Sequence, residues 1–438
     1  IGTLQAYICN SRPRRFGKSI TANMLTAYYS KGCDSETIFA DLEIGKSHDF
    51  KKHLNQYDVI HLDVQWCMEP AGGPECVLSY IVEKTISELR VYYPNILPDH
   101  MKSLPEALSC IYAASGKKFV IIIDEWDVLI RDMAVDQKIQ EDYINFLRGL
   151  FKGTEPTKYI QLAYLTGILP IKKARTQSAL NNFDEFTMLD ASILAPHVGF
   201  TESEVQQLCR KYHRDFEKIK RWYDGYLFGK SEVYNPWSVL NQTKEWFDDK
   251  DILAMPWWAN TSSNNIIRTL VSQADNETKD IIENLIHGGS VETVLKETVT
   301  YGDLTENNEN IWSFLFFTGY LKIKEIVKTG EVIGEPTIYS LVIPNLEIKS
   351  CYTDIIIQYF EIYKKAINKD NLYKALLGRN AQDFSEQITD LLRKTISYYN
   401  STESFYHGLI SGLLSGNVYY KVESNRETGD GRSDLVLY

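Results

Sequence analysis

"SRPRRFGKSI", Ser11 to Ile20, ends as a phosphate-binding loop ends, although Arg12 stands where the G-x-x-x-x-G-K-[ST] pattern has its first glycine. Gly17 lets the backbone approach a phosphate, Lys18 can reach the β- and γ-phosphates of a nucleotide, and Ser19 offers a hydroxyl to Mg²⁺. The flanks fit this reading. "LQAYIC" (Leu4 to Cys9) reads as a short buried strand, and "SITANMLTAYYS" as a helix closed by Gly32. Strand, loop and helix in that order present the unpaired N–H groups and positive dipole end of the helix to an anion. A bare Gly-Lys-Ser also suits a basic surface turn, so a second motif has to decide.

That motif is "KKFVIIIDEWD", Lys117 to Asp127. Five apolar residues, Phe119 to Ile123, are rich in β-branched types and do not alternate, as expected of a central strand covered on both faces. Asp124 emerges at the C-terminal end of this strand, where an Asp can hold Mg²⁺. Glu125 follows in the place of an acid that polarises the water attacking a γ-phosphate. An acidic turn after any strand would look similar by itself, but the pairing with Gly17, Lys18 and Ser19 upstream favours a nucleotide site. Two more strands fit the same sheet. "YDVIHLDV" (Tyr57 to Val64) lies between the motifs, and "YIQLAYLTG" (Tyr159 to Gly167) delivers Thr166 to a strand end as a γ-phosphate sensor. A strand inserted between the motifs, with an acid beside the metal-binding Asp, suggests the AAA-like branch of P-loop ATPases. Ligands of such parallel sheets bind beyond the carboxyl ends of the strands.

"RPRRFGKS", "IIIDEWD", "YLTGILPI" followed by "LNNFDEFTMLD", then "VGFTESEV", "RWYDGYLFG" and "VYNPWSVL" together resemble the bacterial AAA-ATPase-like family that carries a C-terminal PD-(D/E)xK nuclease-like domain. The resemblance runs over nearly the whole chain. It implies that Arg-Pro-Arg-Arg-Phe-Gly-Lys-Ser, Arg12 to Ser19, is the normal form of the loop, and that ATP and Mg²⁺ are the ligands. Pro13 can fix the turn that glycine otherwise permits, and Arg14 or Arg15 can add guanidinium forks to phosphate oxygens. The expected nucleotide-binding set is thus Arg12, Pro13, Arg14, Arg15, Phe16, Gly17, Lys18, Ser19, Asp124 and Thr166, with Ser19 and Asp124 on the metal and Glu125 catalytic. The expected fold is α/β: an AAA-like parallel-sheet P-loop domain over 1–200, a helical and winged-helix-like region over 201–365, and the start of the nuclease-like domain over 366–438.

A chain of 438 residues exceeds what one core usually serves. Its net charge of −11 argues against a protein that coats nucleic acid, while a local basic site for DNA or RNA remains compatible with it. Seven scattered cysteines without a C-x-x-C pair read neither as a disulfide framework nor as a zinc site, so a reducing cytoplasm is the simplest compartment. No apolar run approaches the roughly 20 residues of a membrane helix, and no signal peptide opens the chain, so no membrane partner is expected.

After residue 200, Thr201 and Glu204 suit a capped helix start. The dense aromatics of "RWYDGYLFGKSEVYNPWSVL" suit either a base-stacking surface or a packed turn with Asn235 and Pro236 opening a helix; packing is the preferred reading. "NIWSFLFFTGYLKIKEIVKTGEVIGEPTIYSLVIPNLEI" has the order of a winged helix, with Ile311, Trp312, Phe314, Leu315, Phe316 and Phe317 on the helix that would enter a DNA groove. So much apolar surface is more often core, and fold alone does not establish function.

"STESFYHGLISGLLSGNVYYKVESNRETGDGRSDLVLY" resembles the start of the nuclease-like domain, which implies that Asp434 binds Mg²⁺ and is catalytic. Glu403, one turn from His407, is a further helix-borne ligand on this reading and part of a hydrophilic helix face on the other; Glu423 and Glu427 are weaker candidates. The acid and lysine of an E-x-K strand do not follow Asp434, and Ile1 stands close before the first strand, so both ends are expected to be cut. Two function classes result: an ATPase coupled to a metal-dependent nuclease acting on nucleic acid, or a regulatory nucleotide switch that binds a protein partner and cuts nothing.

Overall fold

The computed structural model describes residues 1, 5–131, 136–171, 180–248, 252, 254–258, 275–286, 288–297, 309–330, 335–352, 369–395, 422–428 and 431–437. The chain forms two compact units, Ile1–Thr261 with Gly288–Cys351, and Ser262–His287 with Tyr352–Tyr438.

The first unit is built on a parallel sheet of β1 (Tyr7–Ser11), β2 (Asp58–Asp63), β3 (Phe119–Asp124), β4 (Ile160–Gly167) and β5 (Asp184–Phe186), in the order β2-β3-β4-β1-β5. All six residues of β3 are buried because its two faces meet two different layers. Val120 and Ile122 pack with Ala22 of helix α1 (Lys18–Tyr29), while Ile121 and Ile123 join Val77, Leu104, Leu108 and Leu147 on the opposite side. Burial on both faces removes any reason for alternation and stabilises the strand by about 1.5–3 kcal/mol per large apolar side chain. The register brings Asp63 beside Asp124, Asp124 beside Thr166, and Thr166 beside Asn10, so the carboxyl ends of four strands form one edge.

Beyond the sheet, β6 (Phe200–Thr201), β7 (Tyr226–Phe228) and β8 (Ser231–Tyr234) make a small antiparallel sheet in the order β6-β8-β7. The helix Glu202–Lys211 starts on a capping box: Thr201 N–H donates to Glu204 Oε2 at 2.8 Å, and Thr201 Oγ1 accepts from Glu204 N–H at 3.4 Å. Asn235 Oδ1 caps the helix Pro236–Asp248 by accepting from the N–H groups of Trp237 (2.9 Å) and Ser238 (3.3 Å). Tyr223, Tyr226, Phe228 and Tyr234 are fully buried, so these aromatics are packing groups with no face left for a base. The same holds for the helix Glu309–Phe317. Its six named apolar residues are all buried, and Gly319 (φ 89°) turns the chain toward antiparallel β10 (Lys322–Lys328) and β11 (Ile338–Val342), with β9 (Val291–Val294) on the far side of β11. A helix buried in this way has no apolar face to lay in a DNA groove.

In the second unit, the helix Asn276–Ile286 buries Ile282 and Leu285, and the helices Lys369–Leu377 and Ala381–Thr395 pack on each other. Strands β12 (Val422–Thr428) and β13 (Gly431–Leu437) pair antiparallel. No helix among the described residues is long and apolar enough to cross a membrane.

Candidate nucleotide site

Five of the expected residues meet at the carboxyl edge of the sheet. Gly17 ends the β1–α1 loop with φ 88°, a left-handed conformation that a side chain strains. That turn directs Lys18 inward, where Nζ donates to Pro13 O at 3.0 Å and lies 4.0 Å from Glu125 Oε1. Lys18 is 4% exposed, and burial lowers its pKa against the opposing pull of Glu125. Ser19, on the exposed side of α1, is close enough to Asp124 for its hydroxyl to act on the carboxylate. Asp124 is buried, which raises its pKa, and the Ser19 hydroxyl pulls it back. Its Oδ1 also accepts from the Glu125 N–H at 3.0 Å. Burial acts to raise the pKa of Glu125, but Lys18 and then Arg131 outweigh it and leave that pKa below the ordinary value. The charge of Arg14 acts on Glu125 in the same direction.

Four residues read as nucleotide contacts have side chains engaged elsewhere. Arg12 is fully buried; Nη1 donates to Ser11 O (2.9 Å) and Phe186 O (3.1 Å), Nη2 donates to Leu194 O (3.3 Å), and the guanidinium lies 4.7 Å from the centre of the Phe228 ring. Burial brings its pKa down to about 10, which still leaves it charged. Arg15 donates to Trp257 O and sits 5.0 Å over the Trp237 ring. Phe16, fully buried, meets Tyr226 edge-on at 4.9 Å and Phe228 at 5.2 Å. Thr166 is also fully buried, and its hydroxyl donates to Asn10 O at 3.0 Å, joining β4 to β1. Pro13 contributes its carbonyl to Lys18, while its ring lies so near Gly319 that a Cβ there would come within 2.9 Å. Asp434 lies on β13, remote in sequence from this edge and in the second unit; Glu403 and His407 lie outside the described residues.

Sequence reasoning passed over Asp127 and Arg131. Asp127 is fully buried, and its Oδ2 accepts from the N–H groups of Ile168 (3.0 Å) and Leu169 (2.8 Å), pinning the chain after β4 to the turn after β3. Gly167 is required here, since a Cβ would come within 2.5 Å of Asp127 Oδ1. Arg131 Nη2 lies 2.6 Å from Glu125 Oε2, and Nη1 lies 3.6 Å from Asp127 Oδ1. The four-residue spacing of Asp127 and Arg131 right after the acidic pair was the available signal.

Glu347 was also missed. It is fully buried, Oε1 accepts from Ser238 Oγ and from the Trp258 N–H at 2.9 Å each, and Oε2 meets no hydrogen-bond partner among the described residues. Burial pushes its pKa up to about 7 from 4.5, with those hydrogen bonds and Arg15 opposing. The folded protein therefore keeps this proton to higher pH than the unfolded chain does. Its stability falls as pH rises from 4.5 to about 7, by on the order of 3 kcal/mol in total for this group. Glu347→Gln keeps the acceptor and removes the charge. Denaturant melts should show the variant gaining on the wild type across that window and holding the gain above it; parallel pH profiles would contradict the assignment.

Residues 2–176 match the model of a protein family described as predicted AAA-ATPase. An uncharacterized protein encoded in the vnfD 5′ region of Azotobacter chroococcum mcd 1 is 24% identical over 443 residues, covering 98% of this chain and 79% of that protein. Among solved structures, the Aeropyrum pernix ORC2 protein, described as ADPNP–ADP complexes, aligns with a TM-score of 0.35 and 12% identity over 81% of this chain and 88% of that one.

Proposed function

We propose that the first unit binds ATP with Mg²⁺ where the β1–α1 loop meets the ends of β3 and β4, and hydrolyses it. The observation that carries this reading is the convergence of Gly17, Lys18, Ser19, Asp124 and Glu125, from two distant stretches of chain, on one edge of a parallel sheet. The family match of the same region supports it. Lys18 exchanges a neutral carbonyl, Pro13 O, for phosphate oxygens, a stronger charge-assisted contact. A hydroxyl oxygen beside a carboxylate is a donor set that suits a hard cation, so Ser19 and Asp124 would hold Mg²⁺. When bound, the ion neutralises charge on the transferred phosphoryl group. Glu125 accepts the proton of the attacking water, and the positive charge of Arg14, which already acts on Glu125, is the loop arginine's contribution to phosphate on this reading. Arg12, Arg15 and Phe16 serve the loop's architecture instead.

Lys18→Ala should raise the dissociation constant for ATP with Mg²⁺ by about tenfold to a hundredfold, the worth of one hydrogen bond to a charged group. Calorimetry on the two proteins decides the matter, and equal affinities would reject the site.

The further reading, a Mg²⁺-dependent nuclease-like domain beginning near residue 366 and acting on DNA or RNA, is supported by the resemblance of its sequence and by the strand pair that carries Asp434, Glu423 and Glu427. One observation favours the alternative, a regulatory switch. The loop that would meet nucleotide is packed through Arg12, Arg15 and Phe16 on the region after residue 200, so a change in the loop reaches that region directly.

A further inference from the structure

We infer that Arg131 is the positioning residue of this site, holding the Glu125 carboxylate away from Lys18 and so keeping the lysine available to phosphate. The inference rests on the nucleotide reading above and adds to it a residue that no motif assigns.

One carboxylate stands between two buried cations. Its Oε2 is 2.6 Å from Arg131 Nη2, and its Oε1 is 4.0 Å from Lys18 Nζ. The side chains of Lys18 and Arg131 are only 4% and 7% exposed, so each attraction is weakly screened, and the carboxylate, with one oxygen toward each cation, lies closer to Arg131 than to Lys18. Arg131 holds the advantage for two reasons. Its guanidinium spans two carboxylates, with Nη2 2.6 Å from Glu125 and Nη1 3.6 Å from Asp127, whereas an ammonium is a point charge. Arg131 is also anchored from behind: its second nitrogen faces Asp127, and Asp127 is tied to the N–H groups of Ile168 and Leu169. A line of contacts thus runs from the end of β4 through Asp127 and Arg131 to Glu125. Glu125 itself sits at φ 50°, a conformation costly for a non-glycine residue, in which the carboxylate turns to Arg131.

The consequence falls on Lys18. It donates to Pro13 O at 3.0 Å and stands 4.0 Å from Glu125 Oε1, so it gives up a neutral acceptor and a loose ion pair when phosphate arrives. Were Glu125 to close on it, Lys18 would have to leave a tight buried ion pair, and separating such a pair costs far more than losing a carbonyl contact and a loose one. Arg131 therefore acts on nucleotide affinity through Glu125, without touching the nucleotide.

The experiment is calorimetric titration of the full chain with a non-hydrolysable ATP analogue and Mg²⁺, for the wild type, Lys18→Ala, Glu125→Gln, Arg131→Gln and the double variant Glu125→Gln/Arg131→Gln. Gln at 131 retains a donor for Asp127. Arg131→Gln should weaken binding about tenfold or more, because Glu125 then closes on Lys18. The double variant should return to within about twofold of Glu125→Gln, since the competing charge is gone. Restored affinity also shows that loss of Arg131 has not undone the fold. Arg131→Lys, with charge but no fork, should fall between wild type and Arg131→Gln. Wild-type affinity in Arg131→Gln, or a double variant as weak as that single one, overturns the inference and leaves the nucleotide site standing. A wild type that binds no better than Lys18→Ala sinks the nucleotide reading and this inference together.

Discussion

Glu125→Gln is expected to leave ATP binding intact and to slow ATP turnover by roughly 10²- to 10⁴-fold, the range for losing a positioned general base. The amide keeps the size of the carboxylate but cannot accept a proton from water. Glu125 follows Asp124 directly at the end of β3, is 20% exposed in its side chain, and has its own N–H bonded to Asp124 Oδ1. It is therefore fixed relative to Asp124, the residue proposed to hold Mg²⁺, while its side chain is not fully enclosed. Lys18 reaches the same space from the opposite wall. Phosphate release measured at saturating ATP isolates the chemical step from affinity, which calorimetry reports separately. Turnover unchanged in the variant would move the role of base to another residue. Turnover and binding lost together would show that Glu125 maintains the site rather than acting in it.

The parallel sheet was legible because its strands are apolar for a physical reason that sequence shows. Phe119 to Ile123 must satisfy a layer on each face, and Ile160 to Gly167 the same, so neither alternates. The strand edges were less legible. β1 runs Tyr7–Ser11, where sequence suggests Leu4 to Cys9, because Asn10 and Ser11 look like loop residues. They are nonetheless buried in the sheet: Asn10 Nδ2 donates to Tyr164 Oη at 3.2 Å and Ser11 Oγ to Leu169 O at 2.9 Å. β5 was not visible at all. Asp184–Phe186 is three residues long with two acids, and it is a strand only because the edge of β1 lies open to it.

The site divides along similar lines. That Gly17, Lys18, Ser19, Asp124 and Glu125 meet at one sheet edge was legible because residue type at fixed spacing marks them. The intraprotein contacts of Arg12, Arg15 and Thr166 were not legible, because a local motif credits every nearby donor to the ligand, whereas tertiary contacts decide where a donor goes. Thr166 Oγ1 is taken by Asn10 O and the Arg12 guanidinium by three backbone carbonyls. Arg131 could not be identified from sequence as a partner of Glu125, since nothing in the sequence says that a charged residue ending a four-residue helix is buried.

Why the loop carries Arg-Pro-Arg-Arg-Phe in place of a glycine-rich run follows from the same contacts. A glycine-rich loop is shaped by its own backbone, and this one is shaped from outside. Arg12 draws the start of the loop onto the carbonyls of Phe186 and Leu194, Pro13 seats against Gly319, Arg15 reaches Trp237 and Trp257, and Phe16 plugs between Tyr226 and Phe228. Arg15 and Gly17 both adopt left-handed backbone, φ 67° and 88°, and such turns persist only where their surroundings hold them.

Phe16→Ala should therefore cost about 3–5 kcal/mol of stability, the range for emptying a fully buried Phe site. The ring contacts with Tyr226 and Phe228 place it toward the upper end, as each aromatic pair contributes about 0.5–1.5 kcal/mol beyond burial. The void cannot close easily. One wall is β7, paired to β8, and another is Gly199, where Val233 already stands within 2.2 Å of where a Cβ would be. Denaturant unfolding of the nucleotide-free protein, followed by circular dichroism, measures the loss in the first transition. Phe16→Leu refills most of the volume and should lose about half as much or less. Because Phe16 immediately precedes Gly17, loosening its anchor should also weaken ATP binding in Phe16→Ala at temperatures where the variant is still folded. A loss under about 1 kcal/mol would mean that the loop is not held by this aromatic plug. Full stability loss with unchanged ATP affinity would show that the packing supports the fold while the phosphate end of the loop is shaped independently by Gly17 and α1, and the direct path from nucleotide to the region after residue 200 would then be lost.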